Sequence, residues 1–159
     1  DRNRYINKIS NSIRQQDIWL KKYLERDNDY YFMIKNIKTS ENEGLISIYN
    51  VDHSETKSAE LGRWVIYPGS LAAIESIYLA YKFSFDIMNL SKVYTRTVSD
   101  NHTVVSFHES VGASFNRLIP NHFIISKTRF DAVEQNVTIL QWEKIKANII
   151  ELSKKYLIY

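Results

Sequence analysis

The chain has 159 residues, of which 44% are hydrophobic and 25% charged, with no cysteine and a formal net charge of +3. This length and composition fit one soluble domain with enough apolar material for a core, and the missing cysteines exclude a disulfide framework, a thiolate metal site and a cysteine nucleophile. The 21 basic residues are scattered among 18 acidic ones, so no stripe suited to nucleic acid forms, although a weak preference for small anions stays open.

No secretory signal is visible, and no apolar run reaches the roughly 18 residues of a membrane helix. The expected location is the cytoplasm.

Residues 1–26 carry helical spacing, with Ile6, Ile9 and Ile13 on one stripe and Ile18, Trp19 and Tyr23 on another. The opening "DRNRYINKI" reads as the interior of a helix, so native residues are expected upstream. Asp27-Asn28-Asp29 is a turn cluster. Three strands follow, at 30–37, 44–52 and 59–67, joined by short polar connections as in an antiparallel meander. Strict alternation in the second puts Leu45, Ser47 and Tyr49 on one face and Ile46, Ile48 and Asn50 on the other.

The period then changes. Ile74, Ile77, Tyr78, Tyr81, Phe85 and Met88 have helical spacing, after a Pro68-Gly69 turn and with Ser70 as the N-cap. "KVYTRTVS" (92–99) is a strand, and Asp100 or Asn101 caps a helix that stops near Gly112. Two strands are expected in the tail, "FNRLIPNHFIIS" broken at Pro120 and "VTILQW", before a lysine-rich terminal helix. The helical crossover from the third strand to the strand at 92 makes that pair parallel. The expected fold is α+β, a mixed, mostly antiparallel central sheet with helices on both faces, and the whole of 1–159 is expected to form a single domain.

A strand, a glycine turn and a helix start can hold an anion, because the first-turn amides are free and the helix dipole is positive there. The small residues Gly69, Ser70, Ala72 and Ala73 allow close approach, but the segment equally just starts a helix, and it is not a P-loop. His108 borders the apolar face of its helix and is either an ordinary helix histidine or a group facing a ligand. With His102 and His122 it forms no metal-ligand spacing. Glu60 sits on a strand, sharing a face with Gly62 and Trp64, and is either an exposed carboxylate or one held in a cleft.

Together, over residues 17 to 119, these pieces resemble the GNAT superfamily of acetyl-CoA-dependent N-acetyltransferases. The third strand with "YPGSLAAIES" resembles the family's pyrophosphate loop and helix. "VSDNHTVVSFHESVGASF" resembles its N-x-x-x-x-x-x-Y-x-x-x-G-F segment, and "QQDIWLKKYLERDNDYYFMI…GLISIYNV" is similar to amino-sugar and ribosomal-protein acetyltransferases. Three residues depart from the pattern: Leu71 stands where the loop's second glycine falls, His108 replaces the tyrosine, and Ala113 replaces the phenylalanine. The family's first strand should precede residue 1, so it is expected to be missing or truncated here.

The resemblance implies acetyl-CoA as co-substrate and no metal. The pantetheine arm would pair with the backbone of Trp64, Val65 and Ile66, the pyrophosphate would sit on the amides of Gly69, Ser70, Leu71, Ala72 and Ala73, and Asn101 would bond an arm amide. His108 would face the sulfur and Glu60 would take the amine proton, each as acid or base, with Tyr49 and Asn50 near the acceptor. The implied acceptor is a nucleotide-linked amino sugar of a bacterial surface-glycan pathway. The alternatives are a protein N-terminus or other small amine, or a non-catalytic acetyl-CoA-binding module. A homodimer is compatible with these readings, and no nucleic acid or membrane partner is expected.

Overall fold

The computed structural model of the protein describes Tyr5 and residues 12–156. Helix α1 (Ile13–Leu24) starts at Ser12, whose Oγ accepts the Gln15 amide at 3.5 Å. The apolar spacing read at Ile6 and Ile9 lies outside the described residues. Six strands follow: β1 (Tyr30–Lys35), β2 (Asn42–Asp52), β3 (Ser58–Ile66), β4 (Lys92–Val98), β5 (Ser114–Ile125) and β6 (Thr128–Thr138). They form one sheet in the order β1-β2-β3-β4-β6-β5, in which only β3 and β4 run parallel. Helix α2 (Ala73–Lys82), extended by a π-helical turn at Phe83–Ile87, makes the expected crossover between them. Helices α3 (His102–Ser110) and α4 (Ile139–Tyr156) complete the chain.

Strand alternation sorts the two faces. Ile46, Ile48, Ala59, Leu61, Val93 and Val137 form one side of the core, against Ile77, Tyr81 and Phe85 of the crossover and Trp142 and Ile149 of α4. The indole of Trp142 is fully buried and donates to Asp86 Oδ1 at 2.9 Å, satisfying its one polar group. Tyr30 and Phe32 turn toward Phe83 on this helical side. Tyr31 therefore turns to the other face, where Trp19 and Tyr23 of α1 meet its ring edge-on. Helices thus lie on both faces, as expected for the α+β fold.

Local chemistry corrects four expectations. "VTILQW" is not a strand: β6 ends at Thr138 and α4 begins at Ile139. Thr138 Oγ1 accepts the Gln141 amide at 3.3 Å while Gln141 Oε1 accepts the Thr138 amide at 2.8 Å, a reciprocal capping box that starts the helix. Ser70 is not the N-cap of α2, a position held by Ala72; its Oγ instead accepts the Ala72 amide at 3.1 Å and donates to Glu43 Oε2 at 3.0 Å. Alternation in β2 also ends at Tyr49, because Asn50 adopts φ 51 at an irregularity between Tyr49 and Asp52. At Pro120, β5 continues but its register against β6 shifts between Ile119 and Phe123.

Candidate active site

Parallel pairing of β3 with β4 covers only Ser58–Lys92, Ala59–Val93 and Glu60–Tyr94. Beyond it, β3 stays paired with β2 as far as Ile66, and β4 with β6 as far as Val98, so the strands part and leave two facing unpaired edges. A bulge accompanies the divergence: β3 takes three steps from Gly62 to Val65 where β2 takes two from Ser47 to Leu45, with Arg63 left-handed at φ 46.

The bulge also decides which side chains face which way. Trp64 turns to the helical side, where its indole donates to Ser76 Oγ at 3.1 Å and its ring lies 5.0 Å from Phe107 and 5.8 Å from His108. Glu60 keeps the opposite, open face. The expected shared face of Glu60 and Trp64 is therefore wrong, since one extra residue inverts the alternation between them.

His108 occupies the last turn of α3, which stops at Gly112 with φ 96, as the glycine signal predicts. His108 is 3% exposed, and among the described residues its Nδ1 has no hydrogen-bond partner. Burial pulls its pKa down to about 4, so at neutral pH the ring is an uncharged imidazole rather than a group poised near 6.5. Asn101 stands at the N-cap of α3, yet its side chain makes no capping hydrogen bond.

On the open face Glu60 is buried, not an exposed strand carboxylate. Its Oε1 accepts from Tyr49 Oη at 2.9 Å, and its Oε2 accepts from Asn50 Nδ2 at 3.1 Å and Arg96 Nη1 at 3.2 Å. Tyr49 and Asn50 thus hold Glu60, the irregularity at Asn50 bringing both to the same carboxylate. Burial and the Glu60 charge push the Tyr49 phenol pKa upward. Gly62 makes room for this contact, because a Cβ there would come within 2.7 Å of Tyr49 Oη.

Arg96 continues the network. Its Nε donates to Glu134 Oε2 at 2.8 Å; Arg117 adds Nε to Oε1 at 3.0 Å and Nη2 to Oε2 at 3.2 Å, and Asn116 Nδ2 donates to Oε1 at 2.6 Å. Sequence reasoning missed Arg96, Glu134 and Arg117. The available signal was Arg96 inside the otherwise β-branched run "KVYTRTV"; the polar "DAVEQNV" around Glu134 carries no such mark, and their pairing depends on register.

At the start of α2, Gly69 adopts φ 86 with open space beside it, and the Ser70 amide closes a turn on Tyr67 O at 3.1 Å. The first α-helical bond returns from Ser76 to Ala72 O, so the amides of Ala73, Ile74 and Glu75 have no intrahelical acceptor. Beside them lies a cavity of about 390 Å³ lined by Ser70, Leu71, Ala73, Ile74, Phe107, Ser110, Val111 and Leu152. The unpaired strand edges and the first-turn amides of α2 thus leave backbone hydrogen-bonding groups open, whereas the orphaned His108 nitrogen is buried. Among the described residues, no group of three or more His, Asp or Glu side chains is placed to hold a metal ion, and no helix is long and apolar enough to cross a membrane.

The acetyltransferase (GNAT) domain family matches residues 1–114. No curated protein matches the chain. Among solved structures, a GCN5-related N-acetyltransferase from Brucella melitensis superposes with a TM-score of 0.82 at 18% identity, over 96% of this chain and 70% of that one. Spermidine N-acetyltransferase from Vibrio cholerae in complex with CoA and spermine gives 0.79 at 20% identity, over 90% and 86%. A mutant form of the Vibrio cholerae enzyme gives 0.78 at 20%, over 89% and 85%.

Proposed function

The chain belongs to the acetyltransferase (GNAT) domain family and is an acetyl-CoA-dependent N-acetyltransferase acting on an amine; from that premise we propose direct transfer to a primary amine on a nucleotide-linked amino sugar. The observation that carries the site assignment is the parting of β3 from β4 beyond Glu60 and Tyr94, with His108 on one side and Glu60 on the other.

Acetyl-CoA supplies the acetyl group as a thioester. The unpaired backbone of Trp64, Val65 and Ile66 binds the pantetheine arm as an added strand, and one of these amides donates to the thioester oxygen. The amides of Gly69 and Leu71 and the free amides beginning at Ala73 hold the pyrophosphate, while those of Ser70 and Ala72 are spent on Tyr67 O and Ser70 Oγ and only shape the turn. Asn101 donates to an arm amide. His108, neutral at pH 7, donates an N–H to the leaving sulfur as charge builds there, a hydrogen-bonding role rather than that of a charged acid. Among the described residues Glu60 Oε1 accepts a hydrogen bond from Tyr49 alone, so it retains an acceptor position for the amine proton, directly or through water. The absence of cysteine removes one common acyl carrier and favours direct transfer.

A second reading takes the acceptor from the structural neighbours, whose names include spermidine and spermine. Calorimetric titration with acetyl-CoA, followed by turnover on amino sugars, nucleotide-linked amino sugars and polyamines, tests both readings. Leu71→Asp places a negative charge beside the proposed pyrophosphate and should weaken acetyl-CoA binding at least tenfold. His108→Ala should keep binding within about threefold and slow turnover on the order of tenfold or more. No binding to wild type rejects the site assignment; turnover confined to polyamines rejects the sugar.

A further inference from the structure

The charges on the open face are sorted by depth. The carboxylates of Asp29, Glu60 and Glu134 are 4%, 7% and 5% exposed, whereas their partners Arg63, Arg96 and Arg117 are 33%, 21% and 60% exposed. Whatever docks here meets guanidinium groups and finds the acids behind them. Arg96 spends Nε and Nη1 on Glu134 and Glu60, and Arg117 spends Nε and Nη2 on Glu134. Among the described residues, Nη2 of Arg96 and Nη1 of Arg117 meet no acceptor. One carboxylate thus fixes two planar forks side by side, with donors left over, and their orientation is set before any ligand arrives. Arg96 also lies over the Tyr94 ring at 4.8 Å, which restrains its plane further.

The pair sits where chemistry is expected. Arg96 reaches Glu60 of β3 across the gap, two residues past the last parallel pair at Tyr94, so it spans the root of the divergence on its open side. We infer that Arg96 and Arg117, tied back by Glu134, form an anion-binding pair that holds a phosphate or carboxylate of the acceptor, so that this enzyme selects anionic amines over polycationic ones. The inference rests on the reading of the Glu60 side as the acceptor side. An incoming polyamine meets guanidinium groups before the buried carboxylates that balance them, whereas an anionic group meets two forked donors directly.

The test compares acetyl transfer to glucosamine, glucosamine 6-phosphate and spermidine by wild type, Arg117→Ala and Arg117→Lys, with calorimetric titration of glucosamine 6-phosphate alongside. Arg117 is exposed, and thermal melts establish that each variant folds. Wild type should use the phosphate ester at least tenfold better, in kcat/KM, than the parent sugar or spermidine. Arg117→Ala should lower kcat/KM for the ester at least tenfold more than for glucosamine. Arg117→Lys should restore only part of the preference, having charge without the fork. Equal use of ester and parent sugar, or a preference for spermidine, overturns the inference while leaving acetyl transfer intact. Failure to acetylate any amine rejects the transfer reading, and the titration then decides the pair: ester binding weakened at least tenfold by Arg117→Ala supports it, and unchanged or undetectable binding overturns it.

Discussion

Arg96 and Glu134 stand directly opposite each other on neighbouring antiparallel strands, and the guanidinium Nε donates to Oε2 at 2.8 Å. Burial raises the Glu134 pKa, but the N–H groups of Arg117, Arg96 and Asn116 outweigh it and hold the carboxyl below its ordinary value. Glu134→Ala leaves Arg96 with only Glu60 as a carboxylate partner among the described residues and should cost about 2–3 kcal/mol, less than breaking a fully buried pair because Arg96 keeps Glu60 and stays 21% exposed. Arg117→Ala, at an exposed side chain, should cost no more than about 1 kcal/mol. The ionised Glu134 contributes fully above the ordinary carboxyl range near 4.3, and that contribution is lost as pH falls through its lower folded value. Urea melts should show the gap between wild type and Glu134→Ala narrowing below about pH 4.

His108 predicts a separate acid sensitivity. Its ring is buried and its pKa is about 4, whereas the unfolded chain's imidazole takes a proton near 6.5. Above 6.5 neither state binds the proton and stability is insensitive to it. From about 6.5 down to about 4 the unfolded state gains, and the loss should reach on the order of 2–3 kcal/mol. His108→Gln should remove this slope, read from denaturant midpoints at pH 7 and 4.5. The same low value predicts that acetyl transfer shows no limb near pH 6.5 attributable to His108.

Asn101 separates a capping role from a binding role. An N-cap asparagine replaced by alanine ordinarily costs about 1 kcal/mol. Here the side chain makes no cap bond, so Asn101→Ala should change stability by less than about 0.5 kcal/mol. If the amide holds the pantetheine arm, the same substitution should weaken acetyl-CoA binding about fivefold to tenfold, as loss of one hydrogen bond does. A large drop in thermal midpoint with unchanged affinity would reverse the assignment.

Much of the framework is legible in the chain. The β-branched and aromatic runs around Tyr30, Ile46 and Leu61, broken by polar turns, give the meander, and Ile74 to Phe85 marks the crossover helix. Gly112 ends α3 because a left-handed C-terminal residue suits glycine. The Thr138-x-x-Gln141 capping box was also present, but the apolar run around it reads as a strand when the cap is overlooked. Arg63 is less accessible to such reading: nothing local marks an arginine for φ 46, and that residue separates Glu60 from Trp64 across the sheet.

The sequence by itself determined the kind and order of the elements, since hydrophobic period, turn residues and caps act over a few neighbouring residues. Tertiary structure decided the site. Which strands part, which face Glu60 takes, how deeply His108 is buried and which acids lie behind which arginines all follow from register between distant segments. Arg96 meets Glu134 only because β6 returns between β4 and β5, and a one-residue slip would turn either side chain to the opposite face.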